Sequence, residues 1–168
     1  SADSSLQIEE GDILLVDGKF WSTKNTGTDL PHLAAADLTH STYKDAFRPT
    51  LKEISLALTQ VQEGCSVTVE KVEFAKEETR LYLRIQNTGG ASISYWNGYL
   101  VQGGTQYAET HNAEARYEVL PGDILPGVTA TGVVVFPALK DPGALQIYFQ
   151  ILSEDCAADF DPFVFSLS

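Results

Sequence analysis

The residues best suited to contact a ligand are aromatic side chains, several of which lie in one stretch of the chain. Tyr95 and Trp96 are neighbours in an extended apolar segment, so their side chains are expected on opposite faces of a strand. One of them is then exposed or lies under a loop, and exposed Trp and Tyr are favoured in contacts with sugars and proteins. The alternative is that Trp96 packs beneath residues 1–54. The predicted contact residues are Trp21, Tyr95, Trp96, Tyr99 and Tyr107.

An acidic segment near the end of the chain offers ligands for a hard cation. Ca²⁺ takes oxygen ligands, and several aspartates in one loop can supply them. Asp155, Asp159 and Asp161 are the candidate calcium ligands, although their spacing does not match an EF-hand loop. A solvated acidic loop is the alternative, and no other cofactor is expected.

The three histidines are the other candidate metal ligands. His32 and His40 are eight positions apart and would share one face of a helix that contained both. His111 is remote from them in sequence, and the HExxH motif is absent. Isolated polar histidines are the alternative to a zinc site.

No motif in the chain predicts catalysis. The Gly-x-Ser-x-Gly elbow is missing, although the members of a catalytic triad need not be adjacent in sequence. The acid pairs Glu9–Glu10 and Glu77–Glu78 supply carboxylates, but a glycosidase needs two of them facing one cleft. We therefore expect a noncatalytic protein. A secreted or wall-associated hydrolase and an extracytoplasmic metal-binding protein are the alternatives.

The two cysteines are expected to form one disulfide. Cys65 and Cys156 are 91 positions apart, and both lie in polar, turn-like sequence. Two cysteines in an exported protein suggest a single bridge, and closing so long a loop would contribute about 4 kcal/mol in the chain-entropy model. Two separate buried thiols are the alternative.

Charge and hydropathy exclude some partners. The 168 residues carry a formal net charge of -12, which repels nucleic acid and anionic lipid. No apolar run approaches the roughly 20 residues that a membrane-spanning helix needs. The small polar start, residues 1–5, is what remains downstream of a leader or of a lipid-anchored Cys; a chain trimmed to its folded part is the other explanation.

The elements that must position these side chains divide near residue 55. Residues 1–54 are predicted to form an N-terminal extension, with a hairpin around Asp17–Gly18 and a short helix near 31–38. A further helical turn is expected over 42–48, ended by Pro49.

Residues 55–168 have the pattern of short strands separated by turns. Apolar and polar residues alternate over 81–86, and a phase slip between Val69 and Val72 predicts a β-bulge. Gly103–Gly104 predicts a hairpin. The strand 129–136 is expected to lie centrally, because its core, residues 133–135, is apolar on both faces. Six or seven such strands with little helix predict an antiparallel β-sandwich.

Three motifs in this β-rich part carry a family resemblance. They are the strand exit Gln86-Asn87-Thr88-Gly89, the Gly103–Gly104 hairpin, and Leu125-Pro126-Gly127 leading into the apolar run 132–136. With them, residues 61–165 resemble the immunoglobulin-like domain of bacterial lipoproteins and secreted proteins, a group akin to the mycobacterial secreted immunogenic protein family.

The resemblance covers about 105 of the 168 residues and implies a fold and a location rather than chemistry. It implies an immunoglobulin-like antiparallel β-sandwich over 55–168, an exported location, and a lipid anchor on the precursor as an option. The expected function is a noncatalytic binding module at the bacterial surface or envelope, with a protein or glycan partner.

Overall fold

The computed structural model describes residues 13–16, 19–22, 39–113, 115–139, 143–154 and 160–168. The chain divides into two compact units, residues 1–49 and 50–168. The boundary predicted from the sequence, between residues 54 and 55, lies five residues later than this one. Residues 50–54 are the start of a long strand in the second unit. No helix in the described part of the chain has the length and apolar character needed to cross a membrane.

The first unit contains a small antiparallel sheet and a short helix. Its strands are β1 (Ile13–Val16), β2 (Lys19–Ser22) and β3 (Thr39–Ser41), in the order β2-β1-β3, followed by helix α1 (Tyr43–Phe47). Val16 pairs with Lys19, so β1 and β2 form the predicted hairpin, although the turn residues Asp17 and Gly18 lie outside the described residues. The helix predicted near 31–38 also lies outside them.

Helix α1 begins and ends where the sequence indicates. The hydroxyl of Thr42 accepts a hydrogen bond from the backbone N–H of Asp45 at 3.1 Å, which is the usual N-terminal cap. The helix ends at Phe47, with Arg48 as its C-terminal cap, immediately before Pro49.

The second unit is an antiparallel β-sandwich, as predicted. Its strands are β4 (Thr50–Gln62), β5 (Cys65–Ala75), β6 (Glu78–Asn87), β7 (Ile93–Gln102), β8 (Thr105–Ala108), β9 (Asp123–Ile124), β10 (Thr129–Pro137), β11 (Leu145–Ser153) and β12 (Phe163–Leu167). The first sheet has the order β10-β6-β5-β4, and the second has the order β12-β11-β7-β8, with the short strand β9 beside β7.

The core lies between the two sheets and follows the alternation in the sequence. Leu81, Leu83 and Ile85 of β6 are buried, whereas Arg84 and Gln86 are exposed. The second sheet contributes Leu100, Ile147, Phe149, Phe163 and Phe165 to the same buried cluster. The predicted bulge in β5 is confirmed, because the pairing of β5 with β6 shifts register between Val69 and Lys71.

Strand β10 is an edge strand, so the prediction of a central position was wrong. A covering loop (residues 109–113 and 115–120) takes the place of the missing neighbour. The backbone N–H of Thr110 donates to the carbonyl of Val135 at 2.8 Å, and the N–H of Val133 donates to the carbonyl of Glu118 at 2.7 Å. The apolar residues on both faces of β10 therefore indicate burial under a loop rather than a strand on each side.

Cys65 is a free thiol, and the structure does not support a disulfide to Cys156. The polar turn in the sequence is Glu63–Gly64, where both residues have positive φ, and Cys65 already begins β5 with its side chain fully buried in the core. Burial raises the pKa of the Cys65 thiol to about 11. Cys156 lies outside the described residues.

Candidate binding cleft

A cleft of about 410 Å³ lies where β7, β10 and the covering loop meet. Its size falls within the range of roughly 300–1,000 Å³ that is typical of small-molecule sites. Apolar and aromatic surface alternates in it with polar and charged side chains. The lining residues are Tyr95, Trp96, Glu109, Thr110, His111, Asn112, Ala113, Arg116, Tyr117, Val119, Leu120, Val133, Val134 and Val135.

A β-bulge presents Trp96 to this cleft. In the pairing of β7 with β11, Gln150 is opposite Asn97 and Ile151 is opposite Tyr95, so Trp96 is the extra residue on β7. Bulges of this kind redirect a side chain and are frequent beside functional sites. The Trp96 indole is 65% exposed. Tyr95 instead packs on the core, with its ring centroid 6.0 Å from that of Phe149.

Tyr95 and Glu109 form a hydrogen-bonded pair in the cleft. The Tyr95 hydroxyl donates to the Glu109 carboxylate, and the backbone N–H of Gly98 is a second donor to it. A Cβ added at Gly98 would lie 2.7 Å from the Tyr95 hydroxyl oxygen and 2.9 Å from Oε1 of Glu109, so a larger residue at this position would displace the pair.

The surroundings keep the Tyr95 hydroxyl protonated. Burial and the neighbouring Glu109 carboxylate raise the pKa of Tyr95 far above its usual value. Burial also raises the pKa of Glu109, although the hydrogen bonds from Tyr95 and Gly98 oppose this effect. The phenol therefore acts as a lasting hydrogen-bond donor to the carboxylate.

A buried ion cluster supports the other side of the cleft. Arg80 and Glu73 are 0% and 1% exposed, and Nε of Arg80 donates to Oε2 of Glu73 at 2.9 Å. Nη1 of Arg80 donates to Glu78 at 2.8 Å, and Nη2 donates to the hydroxyl of Thr50 at 2.8 Å. Glu73 also accepts from Lys71 at 2.7 Å. Each buried charge thus has several partners, as burial requires.

This ion cluster holds two residues of the cleft lining in place. The Tyr117 hydroxyl donates to Glu78 and accepts from Nη1 of Arg80 at 3.0 Å. The side-chain amide of Asn112 donates to Oε2 of Glu78 at 3.1 Å. Burial and Glu78 raise the pKa of Tyr117, so this phenol too stays protonated. Hydrogen bonds to Arg80 and Glu78 therefore fix the positions of the Tyr117 and Asn112 side chains in the cleft.

The ion cluster was not predicted from the sequence, although one feature pointed to it. The two-residue connection Lys76–Glu77 places Glu73 directly opposite Arg80, and opposite charges at facing positions attract. Arg80 is out of phase with Leu81, however, so the alternation indicates a solvent-facing side chain like that of Arg84. Tyr117 and Asn112 of the covering loop contact the ion cluster. No local sequence pattern predicts that this loop packs against β10.

The predicted aromatic contact residues do not form one patch. Tyr95 and Trp96 meet in the cleft, whereas Tyr99 lines a separate cavity of about 260 Å³ with Tyr148, Gln106 and other residues. Tyr107 packs against the core. Trp21 lies in β2 of the first unit, and its side chain is outside the described part.

The candidate metal ligands are only partly described. Asp155, Asp159 and His32 lie outside the described residues, and His40 is in β3. Asp161 is exposed, and its backbone carbonyl accepts from the side chain of Gln62 at 3.1 Å. His111 lines the cleft. Among the residues that the structure describes, no three His, Cys, Asp or Glu side chains are grouped so as to hold a metal ion.

Comparison with known proteins places the fold among bacterial β-sandwich proteins. No family model and no curated protein matches the chain. A functionally unknown protein from Listeria monocytogenes has a TM-score of 0.53 at 11% identity, over 70% of this chain and 85% of that one. The ycdA putative lipoprotein of Bacillus subtilis has a TM-score of 0.52 at 13% identity, over 67% of this chain and 39% of that one.

A third solved structure is more distant in shape. The yjhA protein of Bacillus subtilis has a TM-score of 0.48 at 18% identity, over 56% of this chain and 78% of that one. At these identities the Listeria protein and the ycdA protein share the fold with this chain, and their likeness indicates nothing about activity.

Proposed function

We propose that this protein is a noncatalytic bacterial binding module that works outside the cytoplasm and takes its ligand in the Trp96 cleft. The observation that carries the proposal is the bulge in β7, which leaves a tryptophan 65% exposed in a cleft of ligand-binding size. Burying an indole of this kind is a main source of binding energy at protein sites.

An exported, immunoglobulin-like sandwich belongs to the same proposal. The support is the resemblance of residues 61–165 to domains of secreted and lipid-anchored proteins, together with a fold shared with the ycdA protein. The acidic net charge of -12 is compatible with a module exposed at the envelope, where it disfavours nucleic acid and anionic lipid as partners.

The lining of the cleft favours binding over hydrolysis. Glu109 is the single carboxylate among the described lining residues, and it already accepts hydrogen bonds from Tyr95 and Gly98. A glycoside hydrolase uses two carboxyl groups that flank the bond to be broken. The tight pairing of Glu109 therefore suits a residue that shapes the cleft.

Tryptophan fluorescence tests the proposal because the chain has only two tryptophans. In the Trp21→Phe variant all indole emission comes from Trp96. Titration with soluble glycans and peptides prepared from bacterial envelopes should change this emission saturably. By calorimetry, Trp96→Ala should weaken binding at least tenfold, whereas Tyr148→Phe, in the separate cavity, should leave it unchanged.

Two results would contradict this proposal. Saturable binding that Trp96→Ala leaves intact would place the ligand elsewhere on the protein. Conversion of the bound glycan or peptide into shorter products, lost in Glu109→Gln, would indicate the hydrolase instead.

A further inference from the structure

Arg116 is a basic side chain in the Trp96 cleft with no partner among the described residues. The other three arginines are engaged: Arg80 in the ion cluster, Arg84 with Glu70 at 2.9 Å, and Arg48 with the carbonyl of Phe47 at 3.2 Å. Arg116 is exposed and lines the cleft, and no described side chain or carbonyl accepts from its guanidinium.

The backbone at Arg116 is held in a conformation that a side chain of this size rarely adopts. Its φ is 48°, in the left-handed region that favours glycine. Such residues are strained and persist where the surrounding structure enforces them, often at binding sites. Here Ala115 on one side is buried, and Tyr117 on the other is bonded to the ion cluster. These two flanking residues thus fix the position of the Arg116 backbone in the covering loop.

Trp96 and Val119 give the same cleft an apolar side. They are 65% and 74% exposed, and both line it. His111 is a second exposed, basic side chain in the lining without a described partner. A ligand that satisfies the cleft therefore needs an apolar ring face for the indole and an anionic group for Arg116.

The edge of β10 argues against an extended peptide as this ligand. A peptide of that kind gains affinity by adding a strand to a free sheet edge. Along β10 the backbone groups of Val133 and Val135 are already bonded to Glu118 and Thr110 of the covering loop. A ring-shaped ligand, which stacks on Trp96 and uses side-chain hydrogen bonds, needs no free edge.

We propose that the cleft binds an acidic sugar residue, with the pyranose face stacked on Trp96 and the carboxylate bonded to the guanidinium of Arg116. This inference rests on the proposed function, since it names the ligand class of that site. Asn112, fixed by Glu78, is the neutral hydrogen-bonding group for the ring hydroxyls. A guanidinium matches a carboxylate with two parallel N–H donors, which gives the site its preference for acids over neutral sugars.

The test compares acidic oligosaccharides with their uncharged methyl esters. The probes are oligosaccharides of galacturonate, glucuronate, N-acetylmuramate and N-acetylneuraminate, each measured by calorimetry beside its ester. At least one acid should bind about tenfold or more tightly than its ester, and added salt should reduce this difference. Arg116→Gln should abolish the preference, whereas Arg116→Lys should keep part of it. Trp96→Ala should weaken acid and ester alike.

A matched control removes one arginine charge outside the cleft. Arg84→Gln changes the net charge as Arg116→Gln does, but it lies on β6 and pairs with Glu70. The Arg84→Gln variant should show the same ratio of affinities for acid and ester as the wild type. If Arg84→Gln abolishes the preference as Arg116→Gln does, the effect is one of overall charge and the proposed contact is wrong.

The remaining outcomes separate this inference from the proposed function. If acids and esters bind equally and Trp96→Ala abolishes the binding of both, Arg116 has no role in recognition, although the cleft remains the binding site. If no acidic sugar binds but envelope peptides bind in a Trp96-dependent way, an acidic sugar is not the ligand, although the cleft remains the binding site. Sugar binding that is unaffected by Trp96→Ala and Arg116→Gln overturns both.

Discussion

At the scale of single residues, the strongest physical constraint in the second unit is the ion cluster beneath the cleft. Removing a charged group from water costs several kcal/mol, and the loss is offset only when good partners surround it. Arg80 has such partners in Glu73, Glu78 and Thr50, and its bond to Tyr117 ties the cluster to the cleft. A change at Arg80 should therefore affect both the stability of the fold and the shape of the binding site.

We expect Arg80→Met to destabilise the protein by about 3–5 kcal/mol, because it leaves Glu73 and Glu78 buried with less compensating charge. Urea denaturation followed by circular dichroism measures this difference. The control is Arg84→Met, since Arg84 and Glu70 form an ion pair whose side chains are 46% and 44% exposed. Its cost should stay within about 1 kcal/mol. Equal losses in the two variants would show that burial of the cluster is energetically unimportant.

The raised pKa of Glu109 predicts a pH dependence of the stability of the protein. Its pKa is raised in the folded state, chiefly by burial, so folding favours the protonated carboxyl. The stability contributed by this group is complete below the unfolded pKa, about 4.3, and is lost as pH rises through the folded pKa. Glu109→Gln has no carboxyl to ionise, so it does not lose stability in this way as pH rises. The difference in unfolding free energy between this variant and the wild type should therefore shift in favour of the variant from about pH 4 to pH 7.

Denaturation curves at several pH values measure this trend, which should be small because Glu109 is partly exposed. Tyr95→Phe provides the complementary change, since it removes the hydroxyl that donates to the carboxylate but keeps the ring. Losing that donor should raise the pKa of Glu109 further and steepen the pH dependence. Profiles of Glu109→Gln and the wild type that run parallel would contradict the assignment.

At the scale of elements, the covering loop substitutes for a strand at the edge of the first sheet. Its fit against β10 depends on Gly132, because an added Cβ would lie 2.6 Å from the backbone N of Leu120 and 2.7 Å from its Cγ. The loop also lines the cleft and caps the ion cluster. One small residue in β10 thus allows the contact on which the binding site depends.

Gly132→Ala should displace the covering loop, because a backbone atom cannot move aside as a side chain can. We expect a loss of about 1–3 kcal/mol in stability and faster hydrogen exchange at the amides of Val133 and Thr110. Gly122→Ala is the matched control, since nothing lies within 4 Å of its added Cβ and its φ is not in the left-handed region. Unchanged exchange at both amides in Gly132→Ala would refute the role of this glycine.

Most strands of the second unit could be predicted from sequence because they follow from local alternation and turn residues, whereas β4 and the short β9 were not predicted. The hairpin at Gly103–Gly104 and the bulge near Val69 are of this kind. The bulge at Trp96 could not be predicted, since it depends on the register between β7 and a strand 50 residues later. The edge position of β10 and the ion cluster also depend on the covering loop, whose path is set by tertiary contacts.

At the scale of the whole molecule, the second unit has what a domain needs to fold alone. Its buried cluster, from Cys65 to Phe165, draws on both sheets, and the partly buried residues around it extend from Ile54 to Leu167. Side chains also link the edges of the two sheets, because the amide of Gln60 bonds both the N–H and the carbonyl of Val164. These contacts lie within residues 50–168.

The fragment 50–168 should therefore fold cooperatively, and the fragment 55–168 should be measurably weaker. Removing residues 50–54 deletes the pairing of Thr50, Lys52, Glu53 and Ile54 with the end of β5, and with it the hydroxyl that accepts from Nη2 of Arg80. Thermal denaturation and the dispersion of NMR amide signals compare the two fragments with the full chain. Equal midpoints for the two fragments would show that the start of β4 does not contribute. Collapse of the 50–168 fragment would mean that residues 1–49 supply part of the stability of the sandwich.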